Sequence, residues 1–344
     1  MLSRLFSEFF RSERAGGILL FACTLLSLAI ANSPAGAAYV QFWGRRASLP
    51  GADLTVAGWI DQGLMAVFFL LVTLEIRREF SSGELSDLRR GLLPAVAATG
   101  GMIAPACLYL AVNAGTPAAA GFGIPMATDI AFSLGALSLL GARVPPALKV
   151  FLAALAIIDD LGAIIVIALF YTGNISAAYI AGALTLFAAL LIIGHKRDPG
   201  LSFYILPGIA IWYCLMRSGI HPTIAGVLMA FAIPQGSGDA LSPASRLQHL
   251  LHIPVACGIL PLFALASTAI PLGAGWENSI AGRPSIGIIA GIGFTMSIFV
   301  AHLAFSVNGD VNGAVMAILG SSALAGGAGL LYLRVFGTNA NGSQ

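Results

Sequence analysis

Asp159 and Asp160 stand side by side in a stretch, 147–171, that otherwise reads as a membrane-crossing helix. Asp159 lies twelve residues past Ala147. At about 1.5 Å per residue that is roughly 18 Å, near the middle of a hydrocarbon core about 30 Å thick. On an insertion scale the two acids together cost about 6 kcal/mol at that depth. The twelve Leu, Ile, Val and Phe residues between Phe151 and Phe170 return about 0.3–0.6 kcal/mol each, or about 5 in total. A helix so close to neutral toward lipid keeps its acids where water, cations or protons reach them.

Composition agrees. Hydrophobic residues make up 58% of the 344 residues and charged residues 9%, against about 25% charged in soluble domains. Gly is abundant at 41 residues, as in bundles where small residues let helices approach closely. The chain reads as an all-α polytopic membrane protein whose first partner is the lipid bilayer. A net charge of +2 is too small to point to nucleic acid. Cys23, Cys107, Cys214 and Cys257 are scattered through apolar runs without metal-ligand spacing and read as small hydrophobes.

Eleven candidate spans lie near 15–32, 58–74, 92–112, 122–141, 147–171, 176–194, 202–217, 220–234, 253–272, 285–307 and 313–335, and together they form one transmembrane domain, 1–344. With the N-terminus inside, twelve Arg and Lys residues fall in internal segments and five in external ones. The positive-inside rule therefore sets the N-terminus in the cytoplasm. An odd number of spans strands Arg334 outside, against that rule. The main external connection, 33–58, holds a turn flanked by short extended pieces at Leu49–Val56. It is either a solvated loop or the contact of a homodimer. The cytoplasmic stretch 75–91 mixes acids with arginines.

Asp129 is a third intramembrane acid, preceded by Gly121, Gly123, Pro125 and Thr128. Those residues disfavour a continuous helix. Backbone groups freed by a break must face protein or a watery cavity, and half-helix ends carry partial charges that an acid can balance. The alternative is a Pro-kinked helix with Asp129 near the interface. A second span, Ser285–Phe299, carries Gly287, Gly291 and Gly293, which suit either close packing or another break. Neighbouring helix residues point about 100° apart, so Asp159 and Asp160 cannot share one role. A carboxylate with little hydration holds its proton more tightly than one in water. A cation and a proton then compete for it, and that competition is enough for coupled exchange.

Four stretches carry a resemblance: 66–72 (Ala-Val-Phe-Phe-Leu-Leu-Val), 127–132 (Ala-Thr-Asp-Ile-Ala-Phe), 155–163 (Leu-Ala-Ile-Ile-Asp-Asp-Leu-Gly-Ala) and 291–299 (Gly-Ile-Gly-Phe-Thr-Met-Ser-Ile-Phe). From first span to last the chain resembles the NhaA family of bacterial sodium/proton antiporters. The resemblance implies inverted repeats with broken, crossing helices. Paired interrupted spans mark the binding site of such transporters, a rule for which this family is itself a known example. It implies that Asp160 is the main cation and proton carboxylate, and that Asp159 pairs with a membrane lysine or shares the exchange. Asp129, with Thr128, takes the place of the acid between the crossed helices. Glu75, Arg78 and Glu79 fall at cytoplasmic funnel positions, and His221, His249 and His252 match histidines linked to pH response. Electrogenic sodium (or lithium) export across the inner membrane, in exchange for protons and without a cofactor, is the implied activity.

The bland alternatives are a solvated pair for His249 and His252, and a turn hydrogen bond for His221. Three departures from the family stand out. Gln248 replaces a glutamate in the pH-responsive cluster. Arg283, in Gly282-Arg283-Pro284, replaces a lysine, and Arg does not release its proton. The chain between Leu272 and Gly291 is also too short for the family's tenth helix and the start of the eleventh, so the second repeat is shortened near 273–290. That leaves an inactive, internally deleted homologue as the second reading. An intramembrane aspartyl protease is a distant third, since Asp159 and Asp160 on one helix cannot form a shared-water dyad.

Overall fold

The computed structural model describes residues 2–49, 51–86, 88–129, 133, 146–197, 200–235, 242–272, 293–305 and 311–336. In chain order the elements are α1 (Leu2–Ala31), α2 (Gly36–Gly44), β1 (Arg46–Leu49), β2 (Ala52–Thr55), α3 (Val56–Ser81) and α4 (Leu88–Asn113). A 3-10 stretch, Pro117–Met126, follows. After it come α5 (Pro146–Phe170), α6 (Ala177–Arg197), α7 (Ser202–Ser218), α8 (Ile224–Ala232), α9 (Pro243–Ser267), α10 (Phe294–Ala304) and α11 (Val311–Phe336). Among the described residues six helices are long and apolar enough to cross a membrane, or seven if α1 and α2 are one bent span. The protein is a multi-pass membrane protein.

α1 stops where Pro34 removes a backbone donor and drives Ser33 out of the helical region. The Ser33 hydroxyl donates to the Ile30 carbonyl at 2.7 Å and accepts from the Ala35 N–H at 3.2 Å. α2 leaves at 115° to α1. It carries Tyr39, Phe42 and Trp43 in edge-to-face contact, the residue types that favour a membrane–water boundary.

The extended pieces expected in the external connection pair as an antiparallel hairpin, Arg46 opposite Thr55 and Leu49 opposite Ala52. Gly51 turns it at φ +87°, a conformation that suits glycine. Arg46 is ion-paired with Asp53. The Ser48 hydroxyl bond and the Arg46 charge hold the Asp53 carboxyl below its ordinary range. Thr55 then caps α3 by accepting the Gly58 N–H at 3.0 Å.

Two compact units divide the chain. One comprises 1–44, 92–163 and 260–344; the other comprises 45–91 and 164–259. In the first, α1 holds the end of α9. Ser27 donates to the Leu265 carbonyl at 2.7 Å, and Asn32 receives the Leu272 N–H at 2.6 Å while donating to Ile270 at 3.1 Å. Gly162 lets α5 lie against Met102 of α4, where a Cβ would overlap the thioether.

In the second unit α8 crosses α3 at Gly226, whose missing side chain makes room for the Ala66 carbonyl and the Leu70 N–H. The Arg77 guanidinium donates to the Ala230 and Ile233 carbonyls at the end of α8, a C-terminal cap by a cation. A cluster of Leu74, Ala183, Leu190, Tyr204, Ile211, Leu215 and Met229 fills the space among α3, α6, α7 and α8. α3 contains a π-helical turn at Ile60–Leu64. One carbonyl of that turn, Gln62, accepts from the Trp212 indole at 2.6 Å, and Trp212 stacks on Trp59.

Candidate functional site

The 3-10 stretch ends at Met126, and Ala127 is extended at φ −78°, ψ 138°. Thr128 and Asp129 have no helical assignment, and the Ser133 N–H bonds the Asp129 carbonyl at 2.9 Å. The span is therefore broken, and Asp129 sits at the break. A second interruption precedes α10, which starts at Phe294 after Gly293. Phe294 has φ 20°, unusual for a residue with a side chain and held only where the surroundings over-determine it. Arg283, Gly287 and Gly291 lie outside the described residues.

The two breaks lie against each other and exchange what each lacks. The first N–H groups of a helix have no partner within it. Here Asp129 Oδ2 accepts the Thr295 N–H at 3.1 Å and also the Thr295 hydroxyl, while Ser322 Oγ of α11 accepts the Phe294 N–H at 3.3 Å. In the other direction, the Ser297 hydroxyl donates to the Ile124 carbonyl at 2.6 Å, serving a backbone acceptor in the 3-10 stretch. Asp129 thus places a carboxylate at the positive end of α10. Burial without such partners would cost about 1–3 kcal/mol for each orphaned group.

α5 passes the same place. Thr128 Oγ1 donates to Asp159 Oδ2 at 2.6 Å. Asp159, Asp160 and Asp129 are only 2%, 4% and 3% exposed. Asp159 Oδ1 is buried and has no hydrogen-bond partner among the described residues. The hydroxyls of Thr128 and Thr295 and the carboxyls of Asp129 and Asp159 thus meet at the break, Asp160 follows Asp159 in α5, and Asp159 Oδ1 is left with room in its bonding for a further ligand. Oxygen donors of this kind suit a hard cation.

The second unit carries the remaining candidates. Glu75 Oε1 lies 3.8 Å from His252 Nδ1, and Arg78 pairs with Glu79 at 3.1 Å. His249 is exposed, on the same helix as His252, so the two histidines do not share a contact with Glu75. His221 Nδ1 is 2.7 Å from Thr223 Oγ1, a local turn contact. Gln248 is buried at 8%.

Thr295, Ser297 and Ser322 did not stand out in the sequence. The available signal was their placement: Thr295 and Ser297 lie two and four residues after Gly293, and Ser322 lies in mid-span.

The sequence model of the family described as Na+/H+ antiporter 1 matches residues 7–288 and again 279–333. A protein named Na(+)/H(+) antiporter NhaA from Dechloromonas aromatica is 48% identical over 385 residues, covering 99% of this chain and 98% of the relative. Proteins of the same name from Cytophaga hutchinsonii and Flavobacterium psychrophilum are 43% and 45% identical, each covering 97% of this chain and 96% of the relative. The first alignment runs to 385 positions against 344 residues here. At least 41 of its positions therefore have no residue of this chain opposite them.

Proposed function

The chain belongs to the Na+/H+ antiporter 1 family, and from that premise we infer that it exchanges sodium (or lithium) ions for protons across a membrane. Membership in a family of transporters also removes the protease reading. The observation that carries the proposal is the buried Asp159–Asp160 pair beside the broken span, with Asp159 Oδ1 open to a ligand. A sodium ion needs oxygen ligands and negative charge; a proton needs the same carboxylates. Asp160 is the principal exchanging group, and Asp159, oriented by Thr128, is the second. Asp129 holds the breaks in register and supplies the local negative potential. Binding of the cation requires both acids of the pair ionised, so it expels protons. Protonation on the opposite side expels the cation.

The positive-inside count supports a cytoplasmic N-terminus and a bacterial inner-membrane location, with sodium moved outward. The Glu75–His252 approach supports a charge-sensitive contact that responds to pH, with Arg78 and Glu79 beside it in the chain; His221 and His249 have weaker claims. The external hairpin is the candidate surface of a homodimer. Arg283 remains the candidate charge partner of the acid pair.

Purified protein in proteoliposomes with an imposed pH gradient tests the exchange. Sodium added at alkaline pH is expected to collapse the gradient, read by a pH-sensitive dye. A gradient indifferent to sodium and lithium across the alkaline range would leave the internally deleted, inactive homologue as the better reading.

A further inference from the structure

Two serines stand side by side in α11 and do different things. Both are buried, Ser321 at 3% exposure and Ser322 at 0%. The Ser321 hydroxyl donates to the Ile318 carbonyl at 3.0 Å, a bond that stays within its own helix and links it to nothing else. Thr24 and Thr268 spend their hydroxyls in the same way, on the carbonyl four residues back. Ser322 Oγ accepts instead, from the backbone N–H of Phe294 in α10, at 3.3 Å and 28 positions away in sequence. Ser322 is eleven residues into the 26 of α11, about 16 Å along a helix about 39 Å long. A span otherwise poor in polar atoms thus delivers one neutral acceptor to the break beside the acids.

The start of α10 explains what that acceptor is for. Phe294 and Thr295 open the helix, and N–H groups in a first turn have no carbonyl of their own helix to bond. Together they form the positive end of α10. Two acceptors divide it. Asp129 Oδ2 takes the Thr295 N–H at 3.1 Å and the Thr295 hydroxyl, and Ser322 takes the Phe294 N–H. The division is held in a tight place. A Cβ on Gly293 would come within 2.3 Å of the Ala127 carbonyl, and Phe294 has φ 20°, a conformation kept only by outside support.

We propose that Ser322 is a positioning residue of the exchange site, which takes the Phe294 N–H so that the charge of Asp129 is left to the cation. A buried N–H that loses its acceptor is costly, and the acceptor already bonded to the adjoining residue is the Asp129 carboxylate. Turning Phe294 toward it brings the positive end of α10 closer and neutralises part of the Asp129 charge. Thr128, next to Asp129 in the chain, orients Asp159, whose Oδ1 is the oxygen without a partner. A sodium ion arriving there meets a weaker negative potential and a nearer positive helix end. Both lower its affinity. Because it concerns the exchanged cation, this role rests on the exchange reading.

Four variants in proteoliposomes test it, assayed for sodium-dependent collapse of a pH gradient at alkaline pH, where protons compete least. The same proteins in detergent are followed by thermal unfolding against sodium concentration, since a ligand that binds the folded state stabilises it. Ser322→Ala is expected to raise the sodium concentration for half-maximal effect in both assays by roughly three- to tenfold, the range of one hydrogen bond. Its maximal rate and its unfolding temperature without sodium should stay close to the parent's. Ser321→Ala, which removes the neighbouring hydroxyl, should match the parent throughout. Ser322→Thr and Ser322→Val have equal volume, and only threonine keeps the oxygen, so threonine should bind sodium more tightly than valine.

The proposal is overturned by a parental sodium dependence in Ser322→Ala, by an equal loss in Ser321→Ala, or by threonine and valine variants that behave alike. If only variants with the oxygen yield folded protein, Ser322 serves folding and the positioning role is likewise lost. A parent that responds to sodium while the variants fail to separate sinks this role alone. A parent indifferent to sodium in both assays sinks the exchange reading, and the role of Ser322 with it.

Discussion

The two units bury different things. In the second, the cluster around α6, α7 and α8 is built from Leu, Ala, Ile and Met together with Tyr204. Its helices come together through absent side chains, as at Gly226. In the first, the centre is occupied by Asp129, Asp159, Asp160, Thr295, Ser297 and Ser322, each at most 4% exposed. An apolar core tolerates repacking at modest cost. A polar one has to satisfy each member, since an orphaned group costs about 1–3 kcal/mol and a charged one more. The first unit should therefore fail in activity when touched, and the second in stability.

Replacing Asp160 by Asn gives the largest expected effect. The amide has nearly the same volume but neither binds a proton in this range nor neutralises a cation, so exchange should vanish while insertion and yield stay unchanged. Asp159→Asn should be as damaging if both acids serve the ion. Exchange retained in Asp160→Asn, measured in the same proteoliposomes as the parent, would transfer the principal role to Asp159.

The reverse pattern is expected at Gly226→Ala. The new methyl would overlap backbone atoms, the Ala66 carbonyl and the Leu70 N–H, which cannot swing aside as a side chain can. Overpacking of this kind costs about 1–3 kcal/mol. Thermal inactivation in detergent should come earlier, with the sodium affinity of the surviving protein unaltered. A changed affinity at unchanged stability would erase the contrast between the units.

The sequence exposed the acids and hid their partners, for a physical reason. A charge in an apolar span is conspicuous because lipid penalises it, so Asp129, Asp159 and Asp160 were visible at once. The first break was equally legible, since Gly121, Gly123 and Pro125 leave few other conformations. Ser297 and Ser322 were not, because most hydroxyls in such helices bond their own backbone. Thr24, Thr73 and Thr268 each donate to the carbonyl four residues back. Nothing local distinguishes those from Ser297, which reaches Ile124 across 173 positions of sequence. The direction of α10 was hidden for the same reason, since it is set by contacts with the 3-10 stretch.

Thr128 sharpens the contrast within the polar unit, with the smallest effect of the three. Its hydroxyl donates to Asp159 Oδ2 at 2.6 Å, leaving Oδ1 as the open oxygen. Valine keeps the branched shape and removes the donor. A hydrogen bond to a charged group is worth about 1.5–3 kcal/mol, but part of that is common to the proton-bound and sodium-bound states and cancels from the exchange. Thr128→Val should therefore weaken apparent sodium affinity roughly tenfold, about 1.4 kcal/mol, with maximal rate nearly preserved. Thr128→Ser, which restores the hydroxyl, should recover most of it. If serine recovers nothing, the methyl group and not the hydrogen bond is what Asp159 needs from this residue. The site would then be held by packing, as the second unit is.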